Sequence, residues 1–301
     1  MSVAPIAVLG QGGVGGVLAA RTGAVCVGTE RTVEAIRARG LALGHDGERT
    51  VTHPEAVVRL ERPVSLLVVA VKAYDLDEAL GRVEPSALRG AVVLPLLNGL
   101  EHVERIRASG VLSHAPGAVV VAGSIGRVEA HAAEPGVVVQ RSPGRALVTA
   151  AGDAVEPARF DAALGPLRVP GIDVVVSTGE RAVLWEKAVR LAVLAAATVA
   201  SGLTVGALRA DPVRRERLRE ALGEACAVAD ADGVRLDPAA QWAIIDALPA
   251  ELTTSTARDA RAGRPTELDA VTGSVVRAGA RLDVPTPELA RLLEEARCRA
   301  P

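Results

Sequence analysis

Lysine is almost missing from this chain of 301 residues: of 34 basic residues only Lys72 and Lys187 are lysines, and Asn98 is the single asparagine. Aromatic residues are scarce as well, with two Trp, one Tyr and one Phe. The shortage singles out its survivors. Arginine stays charged under all conditions, whereas an ammonium is a compact donor whose pKa moves on burial, so it can release a proton where a guanidinium cannot. A chain that uses arginine wherever positive charge suffices leaves Lys72, Lys187 and Asn98 as positions that need those particular side chains. Cysteine is limited to Cys26, Cys226 and Cys298. They are too few and too scattered for a disulfide framework or a metal site, so they read as packing residues in a reducing, cytoplasmic setting.

Charge of one sign is lacking too. The net charge is -2, and Arg214-Arg215-Glu216-Arg217 alternates as a solvated helix face does, so nothing favours nucleic acid. The N-terminus has no basic n-region, and its apolar run from Val3 to Leu9 ends in glycines, as a first strand does and a signal peptide does not. Leu191 to Leu208 is uncharged over 18 residues, long enough to raise a membrane span. It is rich in Ala and interrupted by Thr198, Ser201, Gly202 and Thr204, which favours a buried helix. The overall length suggests two domains.

What is present is ordered. Ile6-Ala7-Val8-Leu9 reads as a buried strand running into Gly10-Gln11-Gly12-Gly13-Val14-Gly15-Gly16 and then the helical Val17-Leu18-Ala19-Ala20-Arg21. This is a dinucleotide fingerprint: Gly10 for the tight turn, Gly12 for approach of backbone to a pyrophosphate, Gly15 for close helix–strand packing, with the helix N-terminus facing the phosphates. The second strand, Ala24 to Val27, ends at Gly28-Thr29-Glu30-Arg31. An acid there would accept from ribose hydroxyls and an arginine would take the extra phosphate of NADP. Both types are present, and Arg31 is favoured as the reader because Glu30 pointing inward would repel that phosphate.

Thr32 to Arg39 reads as a helix closed by Gly40, followed by polar strands through Leu60. Ser65 to Val71 then delivers Lys72, and Ala91 to Leu97 delivers Asn98-Gly99, each as a central parallel strand delivers a side chain to a ligand crevice at its carboxyl end. Val119 to Ala122, Gly136 to Gln140, Arg145 to Thr149 and Ile172 to Val176 read as an antiparallel far side of the sheet, with a short helix, Asp161 to Leu167, before the last. From Glu180 no strand is evident. Asp211-Pro212, Asp237-Pro238 and Thr286-Pro287 each place a capping side chain before Pro at the first helical position, and Gly233 closes the helix begun at Pro212. The expected architecture is α/β: a dinucleotide-binding domain over 1–178 and an all-helical domain over 179–301.

Taken together, the glycine loop, Val69-Ala70-Val71-Lys72-Ala73-Tyr74, Leu97-Asn98-Gly99-Leu100, Leu184-Trp185-Glu186-Lys187 and Pro265-Thr266-Glu267-Leu268-Asp269 resemble the ketopantoate reductase family of NADP-dependent 2-dehydropantoate 2-reductases. The resemblance covers nearly the whole chain. It implies a Rossmann-type NADP(H)-binding domain followed by a helical substrate and dimerisation domain, a homodimer, and no metal. It also implies hydride transfer to the carbonyl carbon of a 2-oxo acid. By the resemblance Lys187 is the general acid, Glu267 and Ser255 bind substrate, and Lys72 and Asn98 lie on the cofactor side, with Asn98 bridging to substrate. Glu267 would accept from a substrate hydroxyl or orient Lys187; the plainer alternatives are a helix cap for Glu267, an N-cap for Ser255 and a solvated Glu186.

Three departures stand out. The asparagines that such enzymes carry four and eight residues beyond the lysine are Leu191 and Ala195 here, on the same helix face as Lys187. The arginine ending the second strand aligns to Thr29, so Arg31 substitutes only by re-routing the loop. The first helix is several residues short. The apolar face predicts a lowered pKa for Lys187 and a substrate less polar than ketopantoate. The alternatives are therefore a reductase for a less polar ketone or imine, or a non-catalytic NADP(H)-binding module.

Overall fold

The structure is a computed structural model that describes residues 5–300; Val3 and Ala4 of the first apolar run lie outside the described residues. Its contacts group the chain into two units. One holds the residues up to Leu97 together with His102–Val183, and the other holds Asn98–Glu101 together with Leu184 onward.

In the first unit, strands β1 (Ile6–Leu9), β6 (Leu66–Val69) and β7 (Val92–Pro95) are buried at every position, as strands covered on both faces must be. With β2 (Val25–Val27), β5 (Ala56–Val57) and β8 (Val119–Val120) they form a parallel sheet of order β5-β2-β1-β6-β7-β8. The chain leaves β1 towards β2 on one side and later returns to β6 on the other. The β1/β6 boundary is thus the topological switch point, where ligands of open α/β sheets bind outside the carboxyl ends of the strands. Leu9 is in register with Val69, so the segments that carry Gly10 and Lys72 leave the sheet side by side.

Helix α1 (Gly13–Thr22) starts inside the glycine run, earlier than the sequence suggested, and closes on Gly23 in the left-handed region. It follows that Gly15 and Gly16 are helical. The helix α2 (Glu30–Arg39) ends at Gly40 as expected. Short helices α3 (Leu76–Leu80), α4 (His102–Arg107) and α5 (Gly110–Ser113) complete the connections around the sheet.

The antiparallel far side is a correction. Val119–Val120 is a parallel edge strand of the main sheet. The other segments build two further sheets: β10 (Ala130–Glu134), β11 (Val137–Gln140), β3 (Leu41–His45) and β4 (Glu48–Thr52) in that order, and β13 (Ile172–Ser177), β12 (Ala146–Ala151) and β9 (Gly123–Gly126). β11 runs parallel to β3, and β12 runs parallel to β13. The reason for the second pairing is topological: helix α6 (Pro157–Leu164) lies between β12 and β13, and a helical crossover returns the chain in the same direction.

The second unit takes up helix α7 (Glu180–Ser201) at Leu184 and is helical from there onward, apart from the small segment Asn98–Glu101. The uncharged stretch Leu191–Leu208 is two helices, because Gly202 (φ 72) breaks it between α7 and α8 (Val205–Ala210). Among the described residues no helix is long and apolar enough to cross a membrane. Trp185 of α7 is fully buried and its indole N–H donates to Asp232 at 2.8 Å. Helices α9 (Pro212–Ala231), α10 (Pro238–Asp246) and α11 (Ser255–Arg261) follow, then α12 (Ser274–Arg281) and α13 (Pro287–Arg297).

Asp211 and Asp237 cap α9 and α10 as read from the Asp-Pro signals. Thr286 does not cap α13. Its place is taken by the Glu224 carboxylate of α9, which accepts from the amides of Glu288 and Leu289 at 2.9 and 2.8 Å. Arg217 leaves the solvated face to pair with the buried Glu288 at 2.5 Å, so α13 is pinned to α9 at two points. Cys26 and Cys226 are buried packing residues, whereas Cys298 is exposed.

Candidate functional site

The space around the positions of the glycine loop fits a dinucleotide. A Cβ at Gly15 would overlap the Gly10 carbonyl, so only glycine lets the helix approach the first turn, and Gly10 itself has φ +93. At Gly12 the same atom would meet open space, so the backbone there can be approached by a ligand. Gly13 is sealed by the Ala130 carbonyl and serves packing. Val14, in the first turn of α1, packs against the core. Gln11 is buried; its Nε2 donates to the Val8 carbonyl at 2.8 Å, which leaves Oε1 without a partner beside Gly28 at the end of β2. An open backbone, a helix N-terminus and an orphaned acceptor fit the pyrophosphate and ribose of a nicotinamide dinucleotide.

Arg31 and Glu30 are both exposed in the first turn of α2. Thr29 occupies the N-cap position without capping; its hydroxyl meets that of Thr32 at 3.2 Å. Lys72 is half-buried and lies three residues beyond β6, not at its last residue, where it precedes a 3-10 turn over Ala73–Asp75.

The remaining sequence-predicted residues, Asn98, Lys187, Leu191, Ala195, Ser255 and Glu267, all belong to the second unit. Lys187 is half-buried on α7, and Glu267 is 3% exposed just ahead of a π-helical turn over Asp269–Gly273. Such turns recur at functional sites because they offset the helix by a residue. This one is tied to α7 by the Thr272 hydroxyl, which donates to the Ala192 carbonyl at 2.7 Å. Loss of water pushes the Lys187 pKa down to about 8; the Glu267 carboxylate opposes the shift and the Arg190 guanidinium adds to it. Ala195 is fully buried and Leu191 half-buried, so the face beyond the ammonium is apolar carbon. Glu186 is exposed.

Ser255 is the first residue of α11. The cap is Thr254, whose hydroxyl accepts from the Ala257 amide at 3.1 Å and meets the Thr198 hydroxyl of α7 at 2.8 Å. Asn98 precedes Gly99, which has φ +93 and lies against the Ala270 carbonyl so closely that a Cβ would overlap it. Glu101 adds a two-pronged ion pair to Arg277, both arms at 2.8 Å. The segment that carries Asn98 is thereby held against the segment that follows Glu267. Among the described residues no group of three or more His, Cys, Asp or Glu side chains is placed to hold a metal ion.

Sequence reasoning missed Thr254, Arg190 and the Glu101–Arg277 clamp. The i+3 spacing from Lys187 was a signal for Arg190; the clamp joins residues far apart in sequence and left none.

Residues 6–152 match the family model described as Ketopantoate reductase PanE/ApbA, and residues 181–299 match its C-terminal counterpart. A 2-dehydropantoate 2-reductase from Mycobacterium tuberculosis is 31% identical over 82% of both chains. One from Halobacterium salinarum is 28% identical over 94% of this chain and 93% of the relative. The crystal structure of a PanE/ApbA family ketopantoate reductase from Ralstonia eutropha JMP134 superposes with a TM-score of 0.81 at 27% identity, covering 98% of each chain.

Proposed function

Because the chain belongs to the ketopantoate reductase family, we propose that it is an NADPH-dependent reductase of the carbonyl of a 2-oxo acid, with Lys187 as general acid. The observation that carries this reading is the setting of Lys187: one of two lysines in the chain, on α7 against the apolar Leu191 and Ala195 and in the field of the buried Glu267 carboxylate, with burial pushing its pKa down to about 8. A donor poised close to neutral pH suits proton transfer to a developing alkoxide, a contribution of roughly a hundred to ten thousand-fold.

The reduced nicotinamide, when bound, supplies the hydride. This chain's residues do the rest. Lys187 Nζ stabilises the negative charge growing on the carbonyl oxygen and then protonates it. Glu267 keeps the lysine cationic and accepts from a substrate hydroxyl, Ser255 Oγ donates to the substrate carboxylate, and Asn98 offers one donor and one acceptor to ribose and substrate. On the cofactor side, the open backbone at Gly12 and the start of α1 would hold the pyrophosphate, Lys72 would reach a neighbouring phosphate or ribose oxygen, and Arg31 would take the 2′-phosphate. The protein acts as a homodimer.

A second reading of the substrate is favoured by Leu191 and Ala195. A polyhydroxylated 2-oxo acid would meet carbon where it needs hydrogen bonds, so the preferred substrate carries hydrocarbon there. Following NADPH oxidation against ketopantoate and a panel of 2-oxo acids, ketones and imines tests both. Turnover of a 2-oxo acid supports the reading; cofactor binding without turnover of any carbonyl or imine would make the chain a binding module.

A further inference from the structure

Arg190 lies one turn beyond Lys187 on α7, and its guanidinium is itself taken out of water, which lowers its own pKa from the ordinary arginine value. A desolvated cation is ordinarily given a carboxylate partner, because the charge costs free energy when taken from water. Here the hydrogen-bond partner is the neutral side-chain oxygen of Gln241 on α10. Gln241 is buried, and α10 is held on α9 by the neighbouring Trp242, whose ring is covered by Arg219 and Arg215 at 4.9 and 5.5 Å from its centroid. The acceptor is therefore fixed, and it holds the cation without cancelling its charge.

The other groups facing this pair leave that charge standing. Glu186, on the same helix and exposed, acts on Arg190 through space. From α9 comes the Cys226 thiol, whose pKa is raised to about 11 first by burial and then by Asp237, with Arg190 opposing; it is uncharged at neutral pH. Facing Lys187 from outside its own helix is Glu267, which raises its pKa, while Arg190 lowers it.

We propose that Arg190, held by Gln241, is a positioning residue for the reaction: a fixed second cation beside Lys187 that eases release of the ammonium's proton. It acts through Lys187 and touches no reacting atom. Two cations on one face of a helix repel, and here the repulsion eases departure of a proton that burial and Glu267 alone would leave more tightly held. The catalytic consequence rests on Lys187 being the general acid; the coupling between the two cations does not.

The scarcity of lysine makes the coupling directly measurable. Protein grown with lysine labelled at Cε gives two resonances, from Lys72 and Lys187, and Lys72→Arg assigns them. Titrating the full-length chain in the wild type, Arg190→Met and Gln241→Glu tests the idea without turnover. Arg190→Met removes the charge, and Gln241→Glu keeps the arginine but cancels its field at nearly constant volume, so it decides the matter should Arg190→Met fail to fold. The Lys187 titration is expected to rise by roughly one pH unit in both, and the basic limb of kcat/KM should move with it. A Lys187 titration that stays in place in Gln241→Glu overturns the proposal. A titration that moves while the basic limb does not supports the coupling and removes Lys187 from the role of acid.

Discussion

The hydroxyls of Thr198 and Thr254 meet at 2.8 Å in the interior of the helical unit, so that the residue capping the helix of Ser255 is bonded to the helix of Lys187. Both side chains are buried, and neither can replace the bond with water. Thr254→Ala removes the cap, at about 0.5 to 2 kcal/mol, and the bond to the Thr198 hydroxyl, at about 1 kcal/mol more, while that hydroxyl keeps its own bond to the Leu194 carbonyl at 2.7 Å. Urea unfolding should show a loss of about 1 to 3 kcal/mol, largely restored in Thr254→Ser. Since Ser255 begins that helix, KM for the carbonyl substrate should rise more than kcat falls. An unchanged midpoint in Thr254→Ala would mean that the pair carries no stability.

Gly99→Ala is expected to be worse than its single methyl suggests. The backbone is in the left-handed region and the new atom would overlap the Ala270 carbonyl, a strain on the order of 1 to 3 kcal/mol. Relief requires moving the π-helical turn that follows Glu267. Turnover should fall at least about tenfold, as misplacement of a reacting group commonly costs, while NADPH affinity holds. Kinetics and cofactor titration on the same sample separate the two effects.

Arg31→Ala tests the reading of the cofactor. A charge-assisted bond to phosphate contributes about 1.5 to 3 kcal/mol, so NADPH affinity should drop by about tenfold or more and NADH affinity should barely change. Fluorescence titration with both nucleotides checks this. A wild type that already prefers NADH would shift the assignment to Glu30 and to the orphaned Gln11 oxygen, which accepts from ribose hydroxyls but offers nothing to a phosphate.

The apolar face beyond Lys187 should set the substrate. Leu191→Asn restores an amide to a half-buried position, and kcat/KM for ketopantoate should rise there first. Ala195 is fully buried, so Ala195→Asn overfills its site at about 1 to 3 kcal/mol of stability and adds less. Ketopantoate kinetics on both single variants and the double would contradict this if no combination improves on the wild type.

The α/β half and the helical half were legible because their signals are local: buried runs in β1, β6 and β7, glycines at Gly10 to Gly15, Asp-Pro starts at Asp211 and Asp237. The partition into three sheets was not, since β3 and β11 are joined by pairing across nearly a hundred residues. The pairing of β12 with β13 did leave a local signal, because the short helix between them demands a parallel return. Lys187 stood out through the scarcity of its kind. Arg190 was hidden by the abundance of its own, and Glu224 by a Thr-Pro signal that points to the wrong cap.

The pH dependence of kcat/KM for carbonyl reduction, compared between the wild type and Lys187→Arg, tests the central claim most directly. The acid must be an ammonium to act, and burial has lowered its pKa to about 8. The wild-type rate should therefore be full below that pH and fall as pH rises through it, well before the ordinary lysine range. Lys187→Arg keeps the charge but withholds the proton, so its turnover should collapse at every pH while NADPH still binds. A wild-type profile flat to about pH 10, together with near-normal turnover in Lys187→Arg, would contradict the account.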